Sequence, residues 1–447
     1  VRLLIVTPEF APHSGGGILR YYGNLTPALA RAGVNVTVLV AAPFADDFAD
    51  YDAAGGVRVT CVKQAATAEA DGALSQFSAA PDFRRWLAAG WAARRAVASL
   101  GAFDAIETTD FGLGFVPFLV EPTGVPLVVR CHGSLGQISQ HEPRQPAFEL
   151  DLALARLAES SILPLSDDLQ TYADGNAGEW ADRLGREVAV VRPAMEVSGR
   201  QSPTDPYAVV VGRVQSWKGP EVLCQALQLL PASACPRVLW IGRDTRSAVD
   251  GGSLDADLRR RFPDVWGERV QPQGSSSFAE AQALMARARF VIVPSVWDVF
   301  NFTAVEAMAA GKVVVCSTGA GAHELITPEE SGLLADAGKA RALADAIGRA
   351  ASLSDPEVER LGEAARETVR TVLAPDVVAR AHLERYGGLA SSNERCNEWT
   401  RTFFEPSAST RVGLDYLDQV GIRRLGAYLS ARLRRRVTSA GPGGAAS

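Results

Sequence analysis

Phe290-Val-Ile-Val-Pro294-Ser-Val-Trp-Asp298-Val-Phe300-Asn301-Phe302-Thr303-Ala-Val-Glu306-Ala-Met-Ala-Ala-Gly-Lys-Val313-Val-Val-Cys316 is the stretch that decides the fold. Phe290–Val293 reads as a short buried strand ending near Pro294. A loop carrying Asp298 follows, a helix begins near Thr303, and Val313–Cys316 is a second strand. Two short apolar strands joined by a helix form a parallel crossover, and that unit repeats outward. Upstream, Tyr207–Val211, Val238–Ile241 and Val270–Pro272 read as further strands with helices between them. Before them, the polar stretch Ser198–Pro206, with Pro203 and Pro206, reads as a linker. In the first half, Val1–Thr7, Val34–Ala41, Val57–Val62, Ala105–Glu107, Pro126–Cys131, Ile162–Leu165 and Val188–Val191 read as strands. Ile18–Ala32 and Phe83–Leu100 read as helices stopped by Gly33 and Gly101. The expected fold is α/β: two doubly wound, Rossmann-like domains facing a cleft at the carboxyl ends of their strands, where ligands bind in open sheets.

Composition agrees with two cores. At 447 residues, 47% hydrophobic and 21% charged, the chain exceeds one core and divides into domains of roughly 170–200 residues. The reading places an acceptor-side domain at 1–198, a second domain at 199–375, a helical segment returning to the first domain at 376–395, and a helical basic appendage at 396–447. A net charge of −6 argues against nucleic acid as a partner and requires any basic site to be local. The six cysteines are scattered without metal-site spacing and read as reduced thiols. An apolar start without a basic leader, and no apolar run of ~18 residues, point to a cytoplasmic protein. In the tail, Ile422, Leu425, Tyr428, Leu429 and Leu433 alternate with arginines. That pattern packs on the protein itself or lies on an anionic membrane surface. The helix around Phe83, Trp86, Leu87 and Trp91, with Arg84, Arg85, Arg94 and Arg95, is a second candidate for peripheral membrane contact, and core packing explains its aromatics equally well.

Chemistry concentrates in the second half. The strand ending at Val211 runs into Gly212-Arg213, and Lys218-Gly219 opens the next helix, so two cations and free helix N–H groups converge on one sheet edge. That is what a diphosphate needs, although a surface Arg and Lys five residues apart are common. The second cluster places Asp298 in a loop and Glu306 in the first turn of a helix. Carboxylates there accept hydrogen bonds from sugar hydroxyls, and the N–H groups of Phe302, Thr303 and Ala304 face phosphate oxygens. Taken alone, Glu306 would be only a favourable partner of the helix dipole.

The acidic pair Asp298 and Glu306, seven residues apart with Phe300 between them and Glu306-Ala-Met-Ala-Ala-Gly behind, resembles the motif of the family-4 retaining glycosyltransferases of the GT-B fold. Gly212-Arg213 to Lys218-Gly219 is similar to the family's phosphate-binding signature, and Gly15-Gly16-Gly17 to its N-terminal glycine loop. The resemblance covers about residues 1–390. It implies that Arg213 and Lys218 neutralise the departing diphosphate, that Glu306 holds the ribose hydroxyls, and that Asp298 binds the transferred sugar. Gly16, Gly17, Phe300, Asn301, Phe302 and Thr303 would complete the nucleotide-sugar site. His132, after the strand ending at Cys131, matches the family histidine lining the sugar site, so the catalytic set is Arg213, Lys218, His132 and Asp298. On the acceptor side, His132 is joined by Glu107, Asp110 and His141, the last within a polar loop Gly133–Pro146. Asp298 stands where the family usually has Glu, and Asn301 where it often has Gly or Pro. The implied reaction moves a hexose-type sugar from a UDP- or GDP-sugar to a hydroxyl on a saccharide, lipid-linked saccharide or small metabolite, without metal or cofactor. The rival reading is a catalytically silent nucleotide-sugar-binding or partner module. A dinucleotide-dependent oxidoreductase is disfavoured because Gly15-Gly16-Gly17 lacks the Gly-x-Gly-x-x-Gly spacing and comes eight residues after the strand. An epimerase or phosphorylase explains the acidic pair less well.

Overall fold

The computed structural model describes residues 1–13, 15–142, 149–197, 199, 205–231, 235–391 and 396–406. The expected linker Ser198–Pro206, the end of the loop Gly133–Pro146 and the arginine-rich tail lie wholly or largely outside them.

The first domain is built on eight strands: β1 (Arg2–Thr7), β2 (Asn35–Val40), β3 (Tyr51–Ala53), β4 (Val57–Cys61), β5 (Ala105–Thr109), β6 (Leu127–Arg130), β7 (Asp168–Thr171) and β8 (Ala189–Val190). Their order is β3-β4-β2-β1-β5-β6-β7-β8. Only β3 runs antiparallel, at the edge. The second domain has β9 (Ala208–Val211), β10 (Val238–Ile241), β11 (Val270–Gly274), β12 (Phe290–Val293), β13 (Val313–Ser317) and β14 (Leu333–Ala335). Their order is β11-β10-β9-β12-β13-β14, all parallel. In each sheet the order reverses beside the first strand, β1 or β9, and such a switch point opens a crevice at the strands' carboxyl ends. The central strands β9, β10 and β12 of the second sheet are apolar throughout because helices cover both faces. Phe290, Val291, Ile292 and Val293, for example, are all buried.

Two departures from the sequence reading have physical causes, and one alternative it left open is decided. Ile162–Leu165 is not a strand. Ile162 ends the helix Glu149–Ile162, and Leu163–Leu165 is a single tight turn containing Pro164. The strand at this place is β7, Asp-Leu-Gln-Thr, whose polar residues concealed it. They are buried with partners: Arg385 donates to Asp168 at 2.6 Å and Asn176 to Thr171 at 2.6 Å. The short strands β3 and β14 carry too few residues to show a period. Finally, the helix Pro81–Leu100 buries Phe83, Leu87 and Trp91 in the first domain's core, and Arg84 and Arg94 pair with Asp71 and Glu121. Core packing therefore accounts for its aromatics. No helix among the described residues is long and apolar enough to cross a membrane.

The chain crosses back between domains after the second sheet. The helix Pro375–Gly387 lies along Gly17–Arg31 of the first domain and inserts His382 and Tyr386 beneath β5 and β6. Beyond it, Glu398–Phe404 seals the first domain: Phe403 and Phe404 are buried against Phe77 and Phe83, and Trp91 Nε1 donates to the Phe404 carbonyl at 2.9 Å. Phe403 and Phe404 thus belong to the first domain's core, with Cys396 packed against it, where the sequence suggested an appendage.

Candidate active site

Two loops of the second domain meet at its switch point. After β9, Ser216–Lys218 makes one tight turn and Gly219 leads into the helix Pro220–Leu229. Gly219 has φ +76°, and a Cβ there would fall 1.9 Å from the Pro294 carbonyl oxygen. Only glycine lets the two loops approach this closely. Lys218 is thereby brought to Asp298, with Nζ 2.5 Å from Oδ2, while the ammonium lies 4.2 Å from the centre of the Trp217 ring. Asp298 is fixed through its backbone, its N–H donating to Gly319 at 2.8 Å and its carbonyl accepting from Gly321 at 3.1 Å.

Asn301 adopts φ +80°, tolerable for asparagine, and caps the helix Phe302–Ala309 by accepting from the Ala304 N–H at 3.1 Å. Its amide donates to Asp298 Oδ2 at 3.0 Å. Asn301 therefore fills the backbone role of a glycine and adds a polar tie. The Ala304 N–H, expected to face phosphate, is engaged by this cap. The Thr303 hydroxyl donates to the carbonyl of Val211 at 3.2 Å and anchors the helix start to β9. Arg213 keeps contact with solvent although the cleft walls surround it. That crowding, followed by Arg243, depresses its affinity for its proton, and Glu9, Glu142 and Asp298 oppose the effect.

Glu306 is largely buried, which raises its pKa; Arg20 and Gln282 partly offset this as they fill its two oxygens. Across the cleft, the glycine loop comes so near that a side chain on Gly17 would lie 3.4 Å from the Phe302 ring. The N–H of Gly16 donates to Glu9 Oε2 at 2.7 Å. His132 sits at the end of β6, half-buried among the rings of Tyr21, Tyr22 and Tyr172, with the Tyr172 hydroxyl hydrogen-bonded to its imidazole. Burial, and then Arg130, hold its pKa well below the usual histidine value, so the ring is neutral. Tyr172 in turn lies 5.8 Å from Phe300 and 6.1 Å from Phe302 between ring centres, so the buried aromatic cluster beneath His132 continues into the second domain.

Residues 205–352 match the family model described as glycosyl transferases group 1, and residues 16–168 match the model for a glycosyl transferase 4-like domain. The chain belongs to the group 1 glycosyl transferases. Among curated relatives, this glycosyltransferase is 26% identical to a D-inositol 3-phosphate glycosyltransferase of Salinispora tropica, over 77% of its own length and 76% of the relative's. It is also 26% identical to a glycogen synthase of Mycobacterium tuberculosis, over 86% and 94%. Solved structures sharing its fold include sucrose-phosphate synthase from Thermosynechococcus elongatus, with TM-score 0.67, 21% identity and coverage of 86% and 98%. Anabaena HepE in complex with UDP and glucose is another, with TM-score 0.61, 17% identity and coverage of 87% and 100%. The GT-B arrangement of two Rossmann-like halves is common to them.

The expected acceptor residues of this glycosyltransferase fare unequally. Glu107 is fully buried: it pairs with Arg130 at 3.3 Å and accepts from Tyr22 at 3.0 Å and Tyr386 at 2.6 Å. Burial works to raise its pKa, but Arg130, His382 and Tyr386 outweigh that and hold it below the ordinary value. Asp110 is also buried, and its carboxylate accepts from the backbone N–H groups of His132 at 2.8 Å, Phe111 at 2.7 Å and Gly133 at 3.3 Å. Burial pushes its pKa up to about 7. Asp110 thus holds the His132 loop through its backbone, while Glu107 is enclosed by Arg130, Tyr22 and the return helix's Tyr386. His141 does face the cleft. It stacks on Trp297 of the other domain, ring centres 4.4 Å apart and planes 9° from parallel. The sequence reading missed Arg20, Tyr172, Glu9 and Gln282. Of these, Glu9 lies within the Pro8–Gly17 loop and Arg20 three residues into the helix behind it, whereas Tyr172 and Gln282 stood near no recognised feature.

Proposed function

We propose that this glycosyltransferase moves a hexose-type sugar from a UDP- or GDP-linked donor to a hydroxyl acceptor, with retention at the anomeric carbon. The product would be a polysaccharide, a glycolipid or a glycosylated metabolite. The observation that carries the reading is the convergence of Arg213, Lys218, Asp298 and Glu306 at the carboxyl ends of β9 and β12, opposite the glycine loop and His132. Arg213 and Lys218 supply the positive charge that a leaving diphosphate requires, and Glu306 has the depth and orientation to receive ribose hydroxyls. Asp298, held by Lys218 and Asn301, would take hydroxyls of the sugar once the lysine turns to phosphate. The relatives whose names specify phosphorylated inositol, glycogen and sucrose phosphate support a hydroxyl-bearing acceptor.

In this reading the glycosidic C–O bond to the diphosphate breaks through an oxocarbenium-like state. The departing phosphate oxygen takes the acceptor hydroxyl's proton, and the acceptor oxygen bonds to the anomeric carbon on the face the diphosphate leaves. Catalysis is then mostly positioning and electrostatic stabilisation. The reading needs no metal, so activity should survive EDTA. A thermal-shift panel of nucleotide-sugars identifies the donor by the melting point it raises. With that donor, Lys218→Ala is expected to lower turnover by at least ~100-fold, the scale of losing one charged stabiliser. Near-normal turnover would remove the phosphate assignment, and a donor left intact by the wild type with and without acceptors would favour a silent module.

A further inference from the structure

Glu306 meets the cleft with neither oxygen free. Arg20 reaches over from the other domain and places Nε 2.9 Å from Oε1, and Gln282 donates to Oε2 at 3.0 Å. The Arg20 guanidinium also sits over the Phe278 ring of the second domain, its central carbon 3.7 Å from the ring centre. The pair is largely withdrawn from water, with side-chain exposures of 32% for Arg20 and 11% for Glu306. Such a contact is worth more than an exposed surface pair. It is one of three contacts of the same kind. Lys218 is met by Asp298, and the Gly16 N–H by Glu9, so groups expected to meet the nucleotide-sugar are satisfied from within the chain. Buried polar groups need partners, and a ligand must exchange for those already in place.

We infer that Arg20 is a further residue of the nucleotide site, the group a ribose displaces: in the empty enzyme it satisfies Glu306 and ties the domains together across the cleft. The inference rests on the reading of Glu306 as the ribose carboxylate. Neutral hydroxyls replace a charged guanidinium in this exchange, so the nucleotide binds against the cost of releasing Arg20. Gln282 is on the same domain as Glu306 and does not impose that cost. Pyrophosphate, which has no ribose, does not compete with Arg20 for Glu306, although it feels the same surrounding charge.

The test is calorimetric titration of the full chain with UDP, GDP and pyrophosphate. It compares wild type, Arg20→Leu, Arg20→Lys and Glu306→Gln, using whichever nucleoside diphosphate binds the wild type more tightly. Arg20→Leu should tighten the nucleotide relative to pyrophosphate by roughly 3- to 10-fold. Arg20→Lys, which keeps the charge but loses the guanidinium over the Phe278 ring, should fall between Arg20→Leu and wild type and keeps the test open if the leucine variant folds poorly. An unchanged or lowered ratio in the Arg20 variants, with Glu306→Gln weakening nucleotide binding, would overturn the inference alone and make Arg20 a structural or direct binding group. If Glu306→Gln leaves nucleotide binding unchanged, or neither nucleotide binds the wild type, the ribose assignment itself fails and the inference falls with it.

Discussion

Gly219 shows how a single residue without a side chain sets the geometry of the site. Its Cβ position collides with the backbone of Pro294, and its φ of +76° disfavours any other residue. Gly219→Ala should cost roughly 2–4 kcal/mol, combining strain with overpacking, read as a lower urea midpoint; an unchanged midpoint would show that the two loops are not in contact. Asp110 is the second case. Its folded pKa of about 7 exceeds the ordinary 3.8, so the protonated form is favoured by folding. The stability it contributes is complete below the ordinary value and is lost as pH rises through about 7. Asp110→Asn keeps an oxygen for the His132 and Phe111 N–H groups. Across that window wild-type stability should therefore fall relative to the variant, and parallel urea midpoints at every pH would contradict the burial argument.

At the level of elements, the helix Glu398–Phe404 closes one face of the first domain. Phe404 has no exposed surface, packs on Phe77 and Phe83, and gives its carbonyl to Trp91. Phe404→Ala should lower stability by about 3–5 kcal/mol, the range for emptying an aromatic site in a core, as measured by thermal or urea unfolding. A loss under about 1 kcal/mol would mean that the segment frays without exposing the core. The sequence showed its aromatics, Trp399, Phe403 and Phe404, but assigned the stretch to an appendage. A seven-residue helix carries too short a period to reveal which face it buries.

The whole molecule depends on the return crossing. Glu107 and Arg130 of the first sheet, with no exposed surface on either side chain, are completed by Tyr386 and His382 from the helix that follows the second domain. Glu107→Gln leaves the Arg130 charge buried without its counter-ion and should destabilise by roughly 3–5 kcal/mol. At a temperature where the variant stays folded, its acceptor KM should match the wild type. A changed KM with unchanged stability would restore Glu107 to the acceptor site.

By itself the sequence determined the two-sheet α/β architecture, because alternating apolar strands and helices leave parallel crossovers as the economical packing. It also marked Arg213, Lys218, Asp298 and Glu306, whose types and spacing carry chemical meaning before any contact is known. The tertiary structure alone decided which polar residues face the cleft and which are walled off behind it. Glu107 and Asp110 stand at a strand end just as site residues would, yet Tyr386, from a helix 279 residues later, closes over Glu107, and Asp110 is turned onto the backbone N–H groups of the His132 loop. Arg20 likewise acquires a role only when Glu306, 286 positions further along the chain, is folded back to meet it. Local pattern fixes what the long, apolar elements are; the partner of a buried charge is set by long-range packing, which no local pattern encodes.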